Sequence, residues 1–373
     1  MTMQPTRTVF GTWSGGRYMH FGEMLSEADL EALAQQAYED GIRTFLTADV
    51  YGTGKADEML GRALKGIDRN SYSLVGMVGH DIYDGQRAGS KGYARFTHAD
   101  LRSEDEYAEY LVTATEKSLE RCQADRFDLV MLHNPDTVGY SNVKVWDGMK
   151  NLKTEGLADL TGIAPGPANG FTIDMAHCFE QYHEAIDWSM VILNPLEPWP
   201  TNNLLPIAKK YDIDLMTRVV DYGGMFHDDV KPGHHFKDGD HRTYRMAGWI
   251  ERGSERIEQM RGIAEKYDLT MLQLACVWNL SQEPVKSVAP TFLQEAGEGA
   301  RPVQEKVTEM AKVPDVTLTK EEIATIAEIG QNEGCMKLKG ASTRNEGEPQ
   351  PDTWPMRDEL VPVAERWGLN PAW

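Results

Sequence analysis

Short apolar runs alternate with amphipathic segments over most of this 373-residue chain, and this alternation limits its fold more than any other feature. Two neighbouring parallel strands need a connection of a dozen or more residues, usually a helix. Eight runs have the length and the branched or apolar content of strands: residues 7–13, 42–49, 72–78, 127–133, 157–164, 188–194, 214–220 and 285–290. Eight strands at this spacing predict an α/β fold, a closed (β/α)8 TIM barrel rather than an open sheet.

One intervening segment, SEADLEALAQQAYEDG at residues 26–41, predicts its helix in detail. Ser26 can cap the N-terminus, Asp29 favours the positive end of the helix dipole, and Gly41 provides a stop. Between them the apolar positions follow the 3.6-residue period: Leu30, Leu33, Ala34, Ala37 and Tyr38. The segment therefore has the single apolar face that a helix of a βα unit needs.

Residues 1–313 are predicted to form the barrel, and residues 314–373 a C-terminal helix and tail packed on it. Three long stretches interrupt the strand and helix rhythm, at residues 79–103, 221–250 and 291–300. Long loops on the catalytic face of a barrel usually shape or cover the substrate pocket. We expect these three loops to do so.

The chain has 38 basic and 58 acidic residues, hence a formal net charge of −20. Such a charge repels nucleic acids and anionic membrane surfaces, so we expect neither as a partner. No apolar stretch reaches the roughly 20 residues that span a bilayer, and the N-terminus lacks the apolar core of a signal peptide. We expect a cytoplasmic protein with a small-molecule substrate, and leave a homo-oligomer open. The four cysteines are widely spaced and are expected to be reduced: Cys122, Cys178, Cys276 and Cys335.

Polar side chains stand at or near the ends of several predicted strands, where a barrel carries its chemistry: Asp49, His133, Asn194 and Arg218, with Tyr51 just beyond the second strand. A tyrosine has an ordinary pKa of about 10, so it acts as a general acid near neutrality only with a cation or donor nearby. Tyr51, His133 and Asp49 could supply a proton donor, a neutral orienting imidazole and a buried charge around a carbonyl. The alternative is structural: Asp49 bonds loop amides, Tyr51 packs, and His133 is a core histidine.

Five phrases resemble the aldo-keto reductases, in order from about residue 7 to residue 312: TADVYGTGKADEMLGRAL, EKSLERCQADRFDLVMLHNPD, GLADLTGIA, RVVDYGGMF and FKDGDHR. The resemblance implies a (β/α)8 barrel that binds NADPH and reduces aldehydes or ketones with an Asp, Tyr, Lys and His tetrad. It gives Tyr51 the role of proton donor, with Asp49 beside it at a shortened spacing. It makes His133 the orienting histidine and Glu58 an acidic residue that supports the loop.

The tetrad lysine is absent, because the matching phrase reads SLVGMVG and places Met77 at that position. A thioether cannot lower the pKa of a phenol or hold a carboxylate as an ammonium does. A buried Asp49 would then be neutral or would need another partner. The candidate partners are Lys55, His80, Arg17, His20 and Arg218, of which Lys55 is expected to be solvated on its loop.

The resemblance also implies a cofactor site, although its motifs are altered. GARPVQEKV at residues 299–307 matches the phrase whose arginine, here Arg301, holds the 2′-phosphate of NADP at a helix N-terminus. Glu305 stands where a glutamine is common, and acid near the adenine ribose would weaken phosphate binding. The Ser-Asn pair of the family is replaced by APGPAN, with Asn169 shifted. Asn194 could still donate to the nicotinamide carboxamide, and Arg218 is assigned to the same site.

The segment HDDVKPGHHFKDGDHR, residues 227–242, contains four histidines and several carboxylates. Such side chains can bind zinc or another transition metal, but their spacing fits no recognised ligand pattern. Because FKDGDHR is matched in reductases of the family that need no metal, we interpret the segment as a loop over the cofactor and expect no metal.

Three functions are consistent with these features. The first is an NADP-linked reductase of a carbonyl or dehydrogenase of an alcohol, with Tyr51 moving the proton. The second is a non-redox lyase, dehydratase or isomerase on the same scaffold, with Tyr51 and His133 as acid and base. The third is a non-catalytic binding or regulatory subunit, since a fold does not fix a function.

Overall fold

The structure is a computed structural model that describes residues 3–88, 92–166, 170–245, 247–297, 299–333 and 356–369. Asn169 and Cys335 lie outside these residues. Eight strands follow in chain order: β1 (Val9–Gly11), β2 (Thr44–Leu46), β3 (Ser73–Val78), β4 (Phe127–His133), β5 (Ala158–Ala164), β6 (Trp188–Ile192), β7 (Asp214–Arg218) and β8 (Val285–Ala289). Each lies within the run predicted for it.

All neighbouring strands pair in parallel, in the order β1 to β8. The sheet returns on itself where Thr8 forms a parallel bridge with Val288, whose N–H donates to the Arg7 carbonyl at 2.9 Å. The predicted (β/α)8 barrel is therefore confirmed, and the carboxyl ends of the strands meet at one mouth.

The described residues include these α-helices: α1 (Glu27–Asp40), α2 (Lys55–Ala63), α3 (Tyr107–Cys122), α4 (Thr137–Ser141), α5 (Val143–Thr154), α6 (Thr172–Tyr182), α7 (Leu205–Lys210), α8 (Trp249–Lys266), α9 (Met271–Leu280), α10 (Val303–Ala311), α11 (Lys320–Ile329) and α12 (Val361–Trp367). In α1, the Ser26 hydroxyl accepts from the Asp29 N–H at 3.1 Å. The helix ends at Gly41, whose φ of +116° is the left-handed conformation that favours glycine. Both ends lie where the sequence predicts them.

The core has two parts. Inside the barrel, alternate residues of the strands form one apolar cluster, which contains Val9, Leu46, Val75, Met77, Leu129, Met131, Met190 and Met216. A larger cluster fills the space between the sheet and the helices, and it includes the apolar face of α1. Met77 therefore points into the barrel, on the same side as the strand-end polar groups.

The described C-terminal residues lie on the outside of the barrel. Asn332, beyond α11, accepts from the Trp199 N–H at 3.0 Å and donates to its carbonyl at 2.8 Å. In α12 the Trp367 indole donates to Glu180 of α6 at 2.8 Å. Among the described residues, no helix has both the length and the apolar character needed to cross a bilayer.

Candidate active site

The side chains predicted to carry chemistry come from the ends of different strands. His133 is the last residue of β4, Arg218 is the last residue of β7, and Tyr51 follows β2 by a short turn. All three line one cavity of about 650 Å³ at the mouth of the barrel. Its other walls are Trp13, Met19, Phe21, Met77, Ala164, Met190, Val219, Asp221, Gly223, Arg245, Thr291 and Leu293. The cavity is therefore mostly apolar, with few polar groups, as small-molecule sites are.

Tyr51 packs its ring against two others at this mouth. Its centroid is 5.6 Å from that of His133 at an interplanar angle of 88°, and 6.5 Å from that of Trp13. Burial raises the pKa of Tyr51 to about 12, while the charge of Arg218 acts in the opposite direction. Tyr51 is thus a protonated phenol near neutrality, and Arg218 is positioned to stabilise its phenolate.

His133 is a neutral imidazole in this environment. Burial lowers its pKa well below the usual range, and the positive charges of Arg218 and Arg95 act in the same direction. Its Nδ1 atom has no hydrogen-bond partner among the described residues. His133 therefore has a ring nitrogen available to a ligand.

His80 lies behind His133, with ring centroids 5.1 Å apart. Arg95 Nη1 lies 2.9 Å from His80 Nδ1, and Asn134 Nδ2 lies 3.1 Å from His80 Nε2. Burial lowers the pKa of His80 to about 3, with the charge of Arg95 adding to the effect. His80 is therefore a neutral group that supports His133, a role that the sequence did not indicate.

Asp49 is fully buried, and neither of its carboxyl oxygens has a hydrogen-bond partner among the described residues. Its backbone N–H donates to the carbonyl of Met77 at 3.2 Å, so these two residues are direct neighbours. Burial raises the pKa of Asp49 well above its usual range; the charge of Asp57 raises it further and that of Arg121 opposes this. Burial therefore favours the neutral form of the Asp49 carboxyl.

The cations suggested as partners of Asp49 are occupied elsewhere. Lys55 is largely exposed, as expected, but it is the first residue of α2 rather than a loop residue, and it pairs with Glu58 at 2.7 Å. Arg17 donates to the Leu25 carbonyl at 3.2 Å, and His20 is exposed against the ring of His241. Arg121, which the sequence did not suggest, pairs at 3.0 Å with Asp57 rather than with Asp49.

Arg218 and Arg245 are the two guanidinium groups that line the cavity. Arg218 Nη2 donates to the carbonyls of Pro165 and Gly166 at 3.0 and 2.6 Å. Arg245 stacks on Trp249, with its central carbon 4.3 Å from a ring centroid. Sequence reasoning missed Arg245, because its loop carries no strand or helix pattern and its position depends on how that loop folds.

The residues assigned to the cofactor lie apart from one another. Arg301 donates to the His227 carbonyl at 3.0 Å and to Glu309 at 2.6 Å. Asn194 is fully buried; its Nδ2 donates to Glu197 at 2.8 Å and its Oδ1 accepts from the Leu196 N–H at 2.9 Å. Arg218 alone of the three lines the cavity.

The loop at residues 221–250 is held by a buried ionic cluster. Arg242 pairs with Asp240 at 2.8 Å and also with Glu295, and His234 approaches Glu295 at 3.4 Å. The Gly22 N–H donates to Asp240 at 2.8 Å, so the cluster joins the loops that follow β1, β7 and β8. In the described part of the chain, no group of three potential metal ligands lies together.

Comparisons with known proteins identify the family of this chain and relatives that share its fold. Residues 7–331 match the model of the aldo/keto reductase family. A probable aldo-keto reductase of Glycine max is 25% identical over 268 residues, which cover 70% of each chain. A probable voltage-gated potassium channel β subunit of Oryza sativa subsp. japonica is 23% identical over 294 residues, which cover 74% of this chain and 81% of the relative.

Solved structures show the same fold. A glycerol dehydrogenase from Gluconobacter oxydans is 20% identical, with a TM-score of 0.69 over 95% of this chain and 97% of its own. An aldo/keto reductase from Klebsiella pneumoniae in complex with NADP and acetate is 19% identical, with a TM-score of 0.57 over 88% of this chain and 95% of its own.

Proposed function

Because the chain belongs to the aldo-keto reductase family, which is a family of oxidoreductases, we propose that it interconverts a carbonyl and an alcohol on a polar small molecule with NADP as cofactor. The observation that carries the proposal is the convergence of Tyr51 and His133 on one cavity, with ring centroids 5.6 Å apart. A phenol and a neutral imidazole at this distance can both reach one carbonyl oxygen.

Each side chain has a distinct part in this proposal. The Tyr51 hydroxyl gives its proton to the carbonyl oxygen during reduction and takes it back during oxidation. His133, neutral because burial lowers its pKa, orients the carbonyl through a ring N–H. Arg218 stabilises the phenolate that Tyr51 becomes, because its charge favours the ionised phenol. Arg218 thereby does part of the work of the missing lysine.

Asp49 has a structural role in this proposal. As a neutral acid it supplies no charge to Tyr51. Its contribution is to fix the turn that carries Tyr51, through its backbone bond to Met77.

The cofactor would supply or accept the hydride. The mostly apolar cavity at the barrel mouth would fit its nicotinamide ring beside Tyr51 and His133, which line that cavity. At the adenine end of the cofactor, Arg301 would hold the 2′-phosphate. Arg301 forms an ion pair with Glu309 at 2.6 Å. NADP binding would therefore require Arg301 to exchange this carboxylate for the phosphate, and Glu305 in the first turn of α10 adds a negative charge there.

The proposal is tested by titrating the purified protein with NADPH and with NADH while following nicotinamide fluorescence, then adding a panel of aldehydes and ketones. Tight NADPH binding with carbonyl-dependent oxidation of the cofactor supports it. Binding without turnover of any carbonyl or alcohol would favour a binding subunit instead, and the absence of binding of either dinucleotide would overturn it.

A non-redox lyase, dehydratase or isomerase is the second candidate, and one observation favours it. Met77 replaces the lysine beside a neutral Asp49, while Tyr51 and His133 remain available for acid and base work. Turnover of a hydroxy-carbonyl compound in protein freed of nucleotide would support this candidate. Such turnover requires no added cofactor, so it separates the two reactions directly.

A further inference from the structure

We propose that the substrate carries an anionic group, a carboxylate, which Arg218 and Arg245 bind in the mouth cavity. This inference rests on the proposed function, since it names the class of carbonyl or alcohol compound that the site accepts. The class comprises small oxo acids, aldehyde acids and the corresponding hydroxy acids.

Arg245 is the first support. Its side chain lines the cavity, and its Nη1 has no hydrogen-bond partner among the described residues. The guanidinium is fixed between the rings of Tyr222 and Trp249, with its central carbon 4.8 and 4.3 Å from their centroids. A Cβ on Gly223 would lie 3.1 Å from this guanidinium, so the loop approaches it closely. Arg245 is therefore a fixed buried donor rather than a mobile surface charge.

Arg218 is the second support. It lines the same cavity from the end of β7, and its Nη2 is held by the carbonyls of Pro165 and Gly166. Its Nε is buried and has no hydrogen-bond partner among the described residues. Leaving a buried charged donor unpaired is costly, and a bound anion would offset that cost.

Two carboxylates near the arginines accept hydrogen bonds from other groups. Asp221 lines the cavity, but its two oxygens accept from the N–H groups of Thr291 and Gly224 at 2.8 and 2.9 Å. Burial raises the pKa of Asp221, which favours its neutral form. Glu197 also acts electrostatically on Arg245, but one of its oxygens accepts from Asn194. These carboxylates leave Arg218 Nε and Arg245 Nη1 without a hydrogen-bond partner among the described residues.

The remaining walls indicate what accompanies the anion. Trp13, Met19, Phe21, Met190 and Leu293 surround the cavity with apolar surface. The planar guanidinium suits a carboxylate, because its N–H groups match the spacing of the two oxygens. We therefore expect a ligand with an apolar skeleton between its carboxylate and its reactive carbon.

The test compares two aldehydes that differ only in charge, 4-carboxybenzaldehyde and methyl 4-formylbenzoate. Affinity is measured by isothermal titration calorimetry without added cofactor, so binding is read separately from turnover. The acid is expected to bind about 10- to 100-fold more tightly, as one buried charged hydrogen bond provides. Equal affinities, or no binding of the acid at millimolar concentration, would overturn the inference.

Substitutions of Arg245 test whether this residue causes the preference for the acid over the ester. Arg245→Gln is expected to remove most of the preference for the acid and to leave the affinity for the ester unchanged. Arg252→Gln is the matched control, because Arg252 lies nearby on α8 but is half exposed and pairs with Glu255 at 3.2 Å. If Arg245→Gln fails to fold, Arg245→Lys keeps the charge but loses the planar fork, and a partial loss of the preference is then expected. An unchanged preference in every folded Arg245 variant contradicts the inference.

The same variants separate a substrate anion from a cofactor phosphate. NADPH titration of Arg245→Gln is expected to give the wild-type affinity, because the arginine serves the substrate. A loss of NADPH affinity with the acid preference retained would assign Arg245 to the cofactor and overturn the inference. Selective acid binding without NADPH-linked turnover of either aldehyde would instead contradict the proposed redox function and leave the anion site standing.

Discussion

The imidazole of His133 stands edge-on to the phenol of Tyr51, with ring centroids 5.6 Å apart and an interplanar angle of 88°. The two residues are 82 positions apart in the chain, and they meet because β2 and β4 end at the same mouth of the barrel. Their neutral forms are both set by burial, which raises the pKa of Tyr51 to about 12 and lowers that of His133.

Tyr51→Phe should lower turnover by at least about 100-fold, because it removes the proton donor. It should leave dinucleotide affinity nearly intact, since the ring and its packing on His133 remain. Steady-state kinetics and fluorescence titration measure the two effects. Tyr18→Phe is the control, because the Tyr18 hydroxyl donates to the Lys55 carbonyl at 3.2 Å and Tyr18 is not among the residues that line the cavity. Turnover at the wild-type rate in Tyr51→Phe would remove Tyr51 from the mechanism.

The rate of carbonyl reduction should stay flat from about pH 6 to about pH 9. A pKa of about 12 keeps Tyr51 protonated over this range, and the lowered pKa of His133 keeps the imidazole neutral. Alcohol oxidation needs the phenolate, so its rate should rise about tenfold per pH unit as the pH approaches that pKa. A bell-shaped reduction profile with a limb near neutrality would show that another group titrates in the reaction.

Met77→Lys should lower the pKa of Tyr51, because an ammonium beside the phenol favours the phenolate. The same ammonium should ionise Asp49, its neighbour across β2 and β3. Ionisation of tyrosine is followed by its absorbance change in Met77→Lys and in the double variant Met77→Lys, Tyr51→Phe. The difference between the two titrations gives the ionisation of Tyr51. Met77→Leu keeps the volume without the charge and should leave the titration where it is in the wild type. A shift of equal size in the pKa of Tyr51 in Met77→Lys and in Met77→Leu would exclude the electrostatic explanation.

Asp49→Asn should stabilise the fold by about 1–3 kcal/mol near neutrality. The folded-state pKa of Asp49 is raised above the unfolded value, so wild-type stability is fullest at low pH and falls as the pH rises through the folded-state pKa. The stability gained by Asp49→Asn should therefore vanish near pH 4. The free energy of unfolding, measured with urea at several pH values, checks this. Asp100→Asn, at a 90% exposed side chain, should change little. A gain independent of pH would mean that Asp49 titrates normally.

Arg301→Ala should weaken NADPH binding by about 10- to 100-fold and NADH binding much less, if Arg301 reads the 2′-phosphate. Glu309→Gln should have the opposite effect, because it releases the guanidinium from the 2.6 Å pair. Fluorescence titrations of both dinucleotides measure these affinities. Equal losses of NADPH and NADH affinity in Arg301→Ala would point to a structural role.

Much of the fold could be predicted from the sequence. The run at residues 127–133 coincides with β4, and the cap and stop of α1 lie at Ser26 and Gly41. These features depend on local patterns of burial and on the conformational freedom of single residues. Tyr51 and His133 were also predicted to meet, because the barrel places all strand ends on one face.

The electrostatic partners could not be predicted in the same way. His80 was a candidate partner of Asp49, but it contacts Arg95 and Asn134 behind His133. Arg121 lies on α3 and pairs with Asp57, 64 positions away, so no local pattern indicated it. Such pairs form between elements that are distant in the chain, and they depend on how helices and loops pack.

By itself, the sequence determined the barrel and the position of the phenol and imidazole at its mouth, because both depend on patterns in local stretches of chain. Only the tertiary structure decided that the Asp49 carboxyl has no hydrogen-bond partner among the described residues and that the charge of Arg218 acts on Tyr51. It also brought Arg245 into the cavity. The physical reason is that charge and burial at a site are sums over groups from many elements, and folding alone brings those groups together.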